Sequence, residues 1–151
     1  MRGWIPLFKD VITLYNFFHG VWHRHIIAGV DAGAIDASSK SATTGDARAS
    51  LVNVLINCSA DKQIVTDAGL RQYYPPKAYA ALASPIESKA LTFTEGTDFI
   101  VLGAIRSEDP VTDDQYENGF YDHMYANQDG VYKINSAAFF GLIPHFEIGA
   151  R

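Results

Sequence analysis

Three histidines crowd one short stretch, His19, His23 and His25, and imidazole is the side chain most often recruited for metal binding and proton transfer. On a strand, His23 and His25 face the same way, about 6–7 Å apart by the strand rise. A tetrahedral zinc site needs such convergent nitrogens about 2.0–2.1 Å from the ion, with further ligands. His123, His145 or an acid would have to be brought in by the fold. The competing reading is a strand face that carries histidines beside Trp22 and Arg24. No metal and no cofactor are therefore assigned, and His19, His23 and His25 stand as the candidates should one bind.

Other chemistry fares less well. Ser, His and Asp are all present, but no Gly-x-Ser-x-Gly elbow sets a nucleophile. The single Cys58 follows an apolar run and reads as a buried small hydrophobe rather than a reactive thiol. It excludes an internal disulfide and a multi-cysteine zinc site, and it fits a reducing compartment. Residues 107–129 hold seven of the seventeen acids (Glu108, Asp109, Asp113, Asp114, Glu117, Asp122, Asp129) and no Lys or Arg. Their spacing is not that of an EF-hand, so a solvated or partner-facing segment is expected. Gly29 and Gly33 build no phosphate-binding fingerprint. The expectation is a protein that is not an enzyme.

Composition narrows the class further. At 151 residues the chain is one ordinary domain with a real core, and 48% hydrophobic with 19% charged residues is globular rather than disordered. Twelve basic residues against seventeen acidic ones leave a net charge of −5, and the basic residues form no stripe. A protein that grips nucleic-acid phosphate by general electrostatics is thereby disfavoured. No apolar run reaches the ~18 residues of a membrane span, and Met1–Pro6 makes a poor signal peptide.

The elements follow from periodicity. Residues 8–18 fit either period, and their β-branched and aromatic content favours a strand. His19-Gly20 then turns the chain into a second strand over 21–30, which makes a hairpin. Residues 37–50 lack any large apolar side chain and read as a long exposed loop. Residues 51–57 form a strand, and 59–72 show no clear state. Tyr73-Tyr74-Pro75-Pro76 breaks the chain and opens one short helix through Leu82. The strand over 97–105 is expected to pair with Leu91-Thr92-Phe93. Strand-like runs return at 130–134, 138–140 and 145–148. Short strands, one short helix and long loops predict a mainly β fold, a small barrel or sandwich.

Taken in order, these segments resemble a specific family. The run Asp10-Val-Ile-Thr-Leu-Tyr-Asn16 is followed by Trp22, by Ile26–Val30 and by the strand at 52–56. Tyr74-Pro-Pro-Lys-Ala-Tyr79 comes next, and then Thr92-Phe93 leads to Gly96-Thr-Asp-Phe-Ile-Val-Leu-Gly103. The set resembles small minor capsid or head-closure proteins of tailed bacteriophages, the neck components between portal and tail. Their features are a D-x-(I/V)-T-(I/L)-Y-N strand, a Y-x-P-K-x-(W/Y) turn into a helix, and a G-D-x-I-V-x-G strand, here one residue longer. The likeness covers roughly residues 8–105.

The resemblance implies a barrel-like virion subunit, made in the host bacterial cytoplasm and assembling into a sixfold or twelvefold ring. Such a ring would join the portal or adaptor protein to the tail proteins and provide a channel touched transiently by genomic DNA, with no membrane involved. An acidic channel lining would let the duplex pass without sticking. Tyr73, Tyr74, Tyr116, Phe120 and Tyr121, with Asp113 and Asp114, are the candidate interface residues. Loop 37–50 is the candidate for projection into the channel. Two neighbouring roles, adaptor and tail terminator, stay open. So do a metal-dependent β protein using His19, His23 and His25, and a carbohydrate-binding β-sandwich using an exposed Trp22.

Overall fold

The computed structural model describes residues 9–35, 51–107 and 111–151. Among these residues, ten strands and two short helices follow one another. β1 (Asp10–Phe18), β2 (Val21–Ile35), β3 (Leu51–Asn57), β4 (Gln63–Thr66) and β5 (Gly69–Tyr73) precede helix α1 (Pro76–Ala80). β6 (Ala90–Leu91), β7 (Phe99–Leu102) and β8 (Val111–Thr112) lead through a 3₁₀ turn at Asp113–Gln115 to helix α2 (Phe120–Asn127). β9 (Val131–Phe140) and β10 (His145–Ala150) complete the chain.

Six of the strands close into a barrel in the order β1-β7-β9-β10-β3-β2, sealed by the antiparallel pairing of β2 with β1. Closure leaves these six no continuous open edge, which removes the commonest route to sheet aggregation. The mainly β reading of the sequence thus resolves to the barrel. The β1–β2 hairpin turns at His19 (φ 47°) and Gly20 (φ 88°), the two positive angles that a tight hairpin turn requires.

Alternation along each strand separates two cores. Ile12 and Leu14 of β1, Ile27 of β2, Val52, Val54 and Ile56 of β3, Ile100 of β7, Ile134 of β9, and Phe146 and Ile148 of β10 fill the barrel interior. The opposite face of β1, β2 and β7 carries Tyr15, Trp22, Phe99 and Val101, and α2 covers them with Phe120 and Met124. A small sheet, β4-β5-β6, adds Ile64 and Leu91 to the interior core and so packs against the barrel.

Several expectations are corrected here. Leu91–Phe93 does not pair with β7: β6 runs parallel to β5, whereas β7 lies between β1 and β9. The unclear stretch 59–72 is the β4–β5 hairpin, turned at Asp67-Ala68 between Thr66 and Gly69. The acidic stretch contains a second helix, α2. The runs at 130–134 and 138–140 belong to one strand, β9. Loop 37–50 lies outside the described residues.

Candidate functional site

Geometry separates the three histidines. His19 sits exposed in the hairpin turn and stacks on Phe18, with ring centroids 4.1 Å apart. His25 pairs with Leu14 across β1–β2 and so faces the interior, only 8% exposed. His23, two residues before it, lies on the same face, half-buried. His123 is exposed on α2 beside Asn127, and His145 on β10 is held by the Ile143 carbonyl at 2.6 Å and the Glu147 carboxylate at 3.0 Å. Burial lowers the His145 pKa, but the Ile143 carbonyl and Glu147 more than offset that and leave it raised. Among the described residues, no three His, Cys, Asp or Glu side chains come close enough to hold a metal.

Trp22 is not a surface platform for sugar. It is 4% exposed, packs against Phe17, Phe99 and Phe120, and its indole N–H donates to Asp113 Oδ1 at 2.7 Å. The same carboxylate oxygen accepts the Phe120 backbone N–H at 2.9 Å, so Asp113 satisfies an orphan donor at the start of α2. Phe120 is 4% exposed, between Tyr15 and Tyr116. Phe120 is therefore buried and Asp113 half-buried, each engaged within the fold. The spacing in sequence could not show this, because the partners lie in β1 and β2.

The remaining interface candidates divide. Tyr73 is half-buried against Phe93 and Phe146, and burial raises its hydroxyl pKa. Tyr121 is half-buried between Phe99 and Tyr125, with the Lys133 ammonium 4.2 Å from its ring centroid. Tyr116 packs on Phe120 and His123, Tyr74 is half-buried, and Asp114 is exposed next to the Thr112 hydroxyl. Cys58 is partly buried against the interior core, and burial raises its thiol pKa. The larger exposed apolar groups lie elsewhere. Phe140, Leu142 and Ile143 occupy the β9–β10 tip, with Leu142 98% exposed, while Val65 and Leu70 project from the β4–β5 hairpin. No sequence pattern had singled them out.

A buried polar network occupies one end of the barrel. Asn16 Nδ2 donates to Asp98 Oδ2 at 2.9 Å and to the Thr92 carbonyl at 2.7 Å, and Asn16 Oδ1 accepts from the Thr92 N–H at 3.1 Å. Asp98 also accepts the N–H groups of Phe17 and Thr94. Burial pushes its pKa up to about 6 against the opposing pull of those donors. Tyr79 on α1 packs edge-on against Phe18 at 5.7 Å.

Strand β1, whose residues 10–16 stood out in the sequence, thus meets the 74–79 turn through Phe18 and the 96–103 strand through Asn16. Ile12–Tyr15 of β1 pairs directly with Phe99–Leu102 of β7.

No described helix is long and apolar enough to cross a membrane. A family model, described as a family of unknown function, DUF6751, matches residues 7–151. No curated protein and no solved structure matches the chain.

Proposed function

The chain belongs to the DUF6751 family, which carries no assigned activity, and we propose that it is a structural virion protein of a tailed-phage neck. In this reading copies of the barrel form a ring that joins the portal or adaptor to the tail and closes the head around its DNA.

The observation that carries the reading is the convergence just described. In the phage head-closure pattern the opening strand ends in Asn and the later strand begins with Asp, and here those residues, Asn16 and Asp98, are hydrogen-bonded in the core. The one-residue insertion, Thr97, falls before the Asp and leaves that contact in place.

The surface suits the role as well. Among the described residues, exposed large apolar groups occur at the β9–β10 tip, on the β4–β5 hairpin and at Ile86, so more than one separate patch is available. A ring needs two different patches on each subunit, because head-to-tail contacts close only when unlike faces meet. The net charge of −5 favours a channel that DNA crosses without binding.

The test is the protein content of purified particles from a phage that encodes the chain. The neck reading expects the protein there at a small fixed ratio to the portal. Its absence from intact virions would overturn the reading.

A further inference from the structure

From the structure we infer that the cavity between β2 and the β4–β5 hairpin is a binding site for one oxyanion group, a carboxylate or a phosphate. The cavity encloses about 190 Å³ and is lined by His23, Arg24, His25, Asp67 and Arg71, with Ile86 also on its wall. This inference does not depend on the neck reading.

Two independent observations meet there. His25 is nine-tenths buried, and its Nε2 has no hydrogen-bond partner among the described residues. Leaving a buried polar nitrogen unpaired costs about 1–3 kcal/mol, so native folds reserve such atoms for a partner. The second observation is charge. Arg71 spends one N–H on the Leu70 carbonyl, 2.9 Å away, and forms no ion pair among the described residues.

The other charges of the lining do not neutralise it. Asp67 faces Arg106 across 3.9 Å. Arg24 directs Nη1 to the Ile105 carbonyl at 3.0 Å and to the Ser107 carbonyl. Arg71 thus brings to the lining a positive charge that no described carboxylate pairs with. A singly charged oxyanion balances it, and a guanidinium presents paired N–H donors that match two oxygens of a carboxylate or phosphate.

The same surroundings explain the state of His25. Burial first, then Arg71 and His23, lower its pKa to about 3. An anion bound beside Arg71 offsets that positive charge, so its binding raises the His25 pKa.

The experiment is a titration of the intact protein with sodium phosphate and, separately, sodium acetate. The ring nitrogens of His25 are followed by NMR, at constant ionic strength. A saturable shift of the His25 signals is expected with at least one anion, weakened more than about tenfold in Arg71→Gln. The dispersed amide spectrum of Arg71→Gln verifies its fold, and Asp67→Asn, which removes the competing carboxylate, is expected to tighten binding. Signals that shift with protein concentration and vanish as a concentration effect in Arg71→Gln assign the oxyanion to a side chain of a second copy, and the site stands. No saturable response to either anion or to concentration overturns the inference, as does a response that Arg71→Gln leaves unchanged.

Discussion

Asn16 on β1 and Asp98 at the entrance to β7 are hydrogen-bonded to each other at 2.9 Å, both fully buried, though 82 residues separate them in the chain. Neither residue has an unmet need. The Asn16 amide closes a two-way bond with the backbone of Thr92, and the Asp98 oxygens take up the N–H groups of Phe17 and Thr94. A satisfied polar pair of this kind fixes register, because a slip of β1 by one residue would turn Asn16 out of the network and every core side chain to the wrong face.

Asp98→Ala is accordingly expected to be severe. It strands the N–H groups of Phe17 and Thr94 and removes one partner of Asn16. Loss of about 3 kcal/mol or more in denaturant unfolding is expected. A loss under about 1 kcal/mol would mean that water replaces the carboxylate and that the network is not a keystone.

Acid stability gives a sharper check, because two buried groups pull in opposite directions. Unfolded His25 takes its proton near pH 6.5, whereas the native side chain takes it only near 3. Between these values the unfolded state binds more protons, and stability falls as pH falls. Native Asp98 is protonated near 6, while the unfolded residue waits until about 3.9, so its contribution rises as pH falls. The two slopes, each about 1.4 kcal/mol per pH unit, cancel between about pH 4 and 6. Relative to the native chain, His25→Gln should gain stability on acidification and Asp98→Asn should lose it. Slopes that change in the same direction in both variants would refute the assignment.

Trp22 reports on the outer core. Its indole N–H and the first N–H of α2 share one oxygen of Asp113. Asp113→Ala should cost about 1–3 kcal/mol and move Trp fluorescence to the red. An unchanged spectrum and stability would return Asp113 to the surface role that its acidic neighbourhood had implied.

Leu142 should behave in the opposite way. With 98% of its surface exposed, Leu142→Ser should leave the unfolding free energy of the single chain within about 0.5 kcal/mol of the parent. Sedimentation at high protein concentration should nevertheless show weaker self-association, since an exposed apolar tip is a contact in waiting. Equal association of the two proteins would remove the β9–β10 tip from the interface.

Local chemistry made part of this fold legible. β-branched and aromatic runs marked β1, β2, β3 and β7, His19-Gly20 marked the first turn, and Pro76 marked the start of α1. What stayed hidden depends on distant partners. Helix α2 buries only Phe120 and Met124, too sparse a stripe to show a period, and its first N–H is capped by a residue seven positions upstream. The β4–β5 hairpin leaves Val65 and Leu70 exposed, which blurs the alternation that identifies a strand. The His25–Arg71 cavity was half visible: the histidines drew attention as metal ligands, but nothing near them in sequence announced Arg71.

The neck assignment is tested most directly by a nonsense mutation in the gene, placed in the phage that encodes this chain and grown in a non-suppressing host. Electron microscopy of the lysate should then show heads and finished tails accumulating unjoined, with joining restored when the protein is supplied from a plasmid. Complete, infectious particles made without it would contradict the assignment.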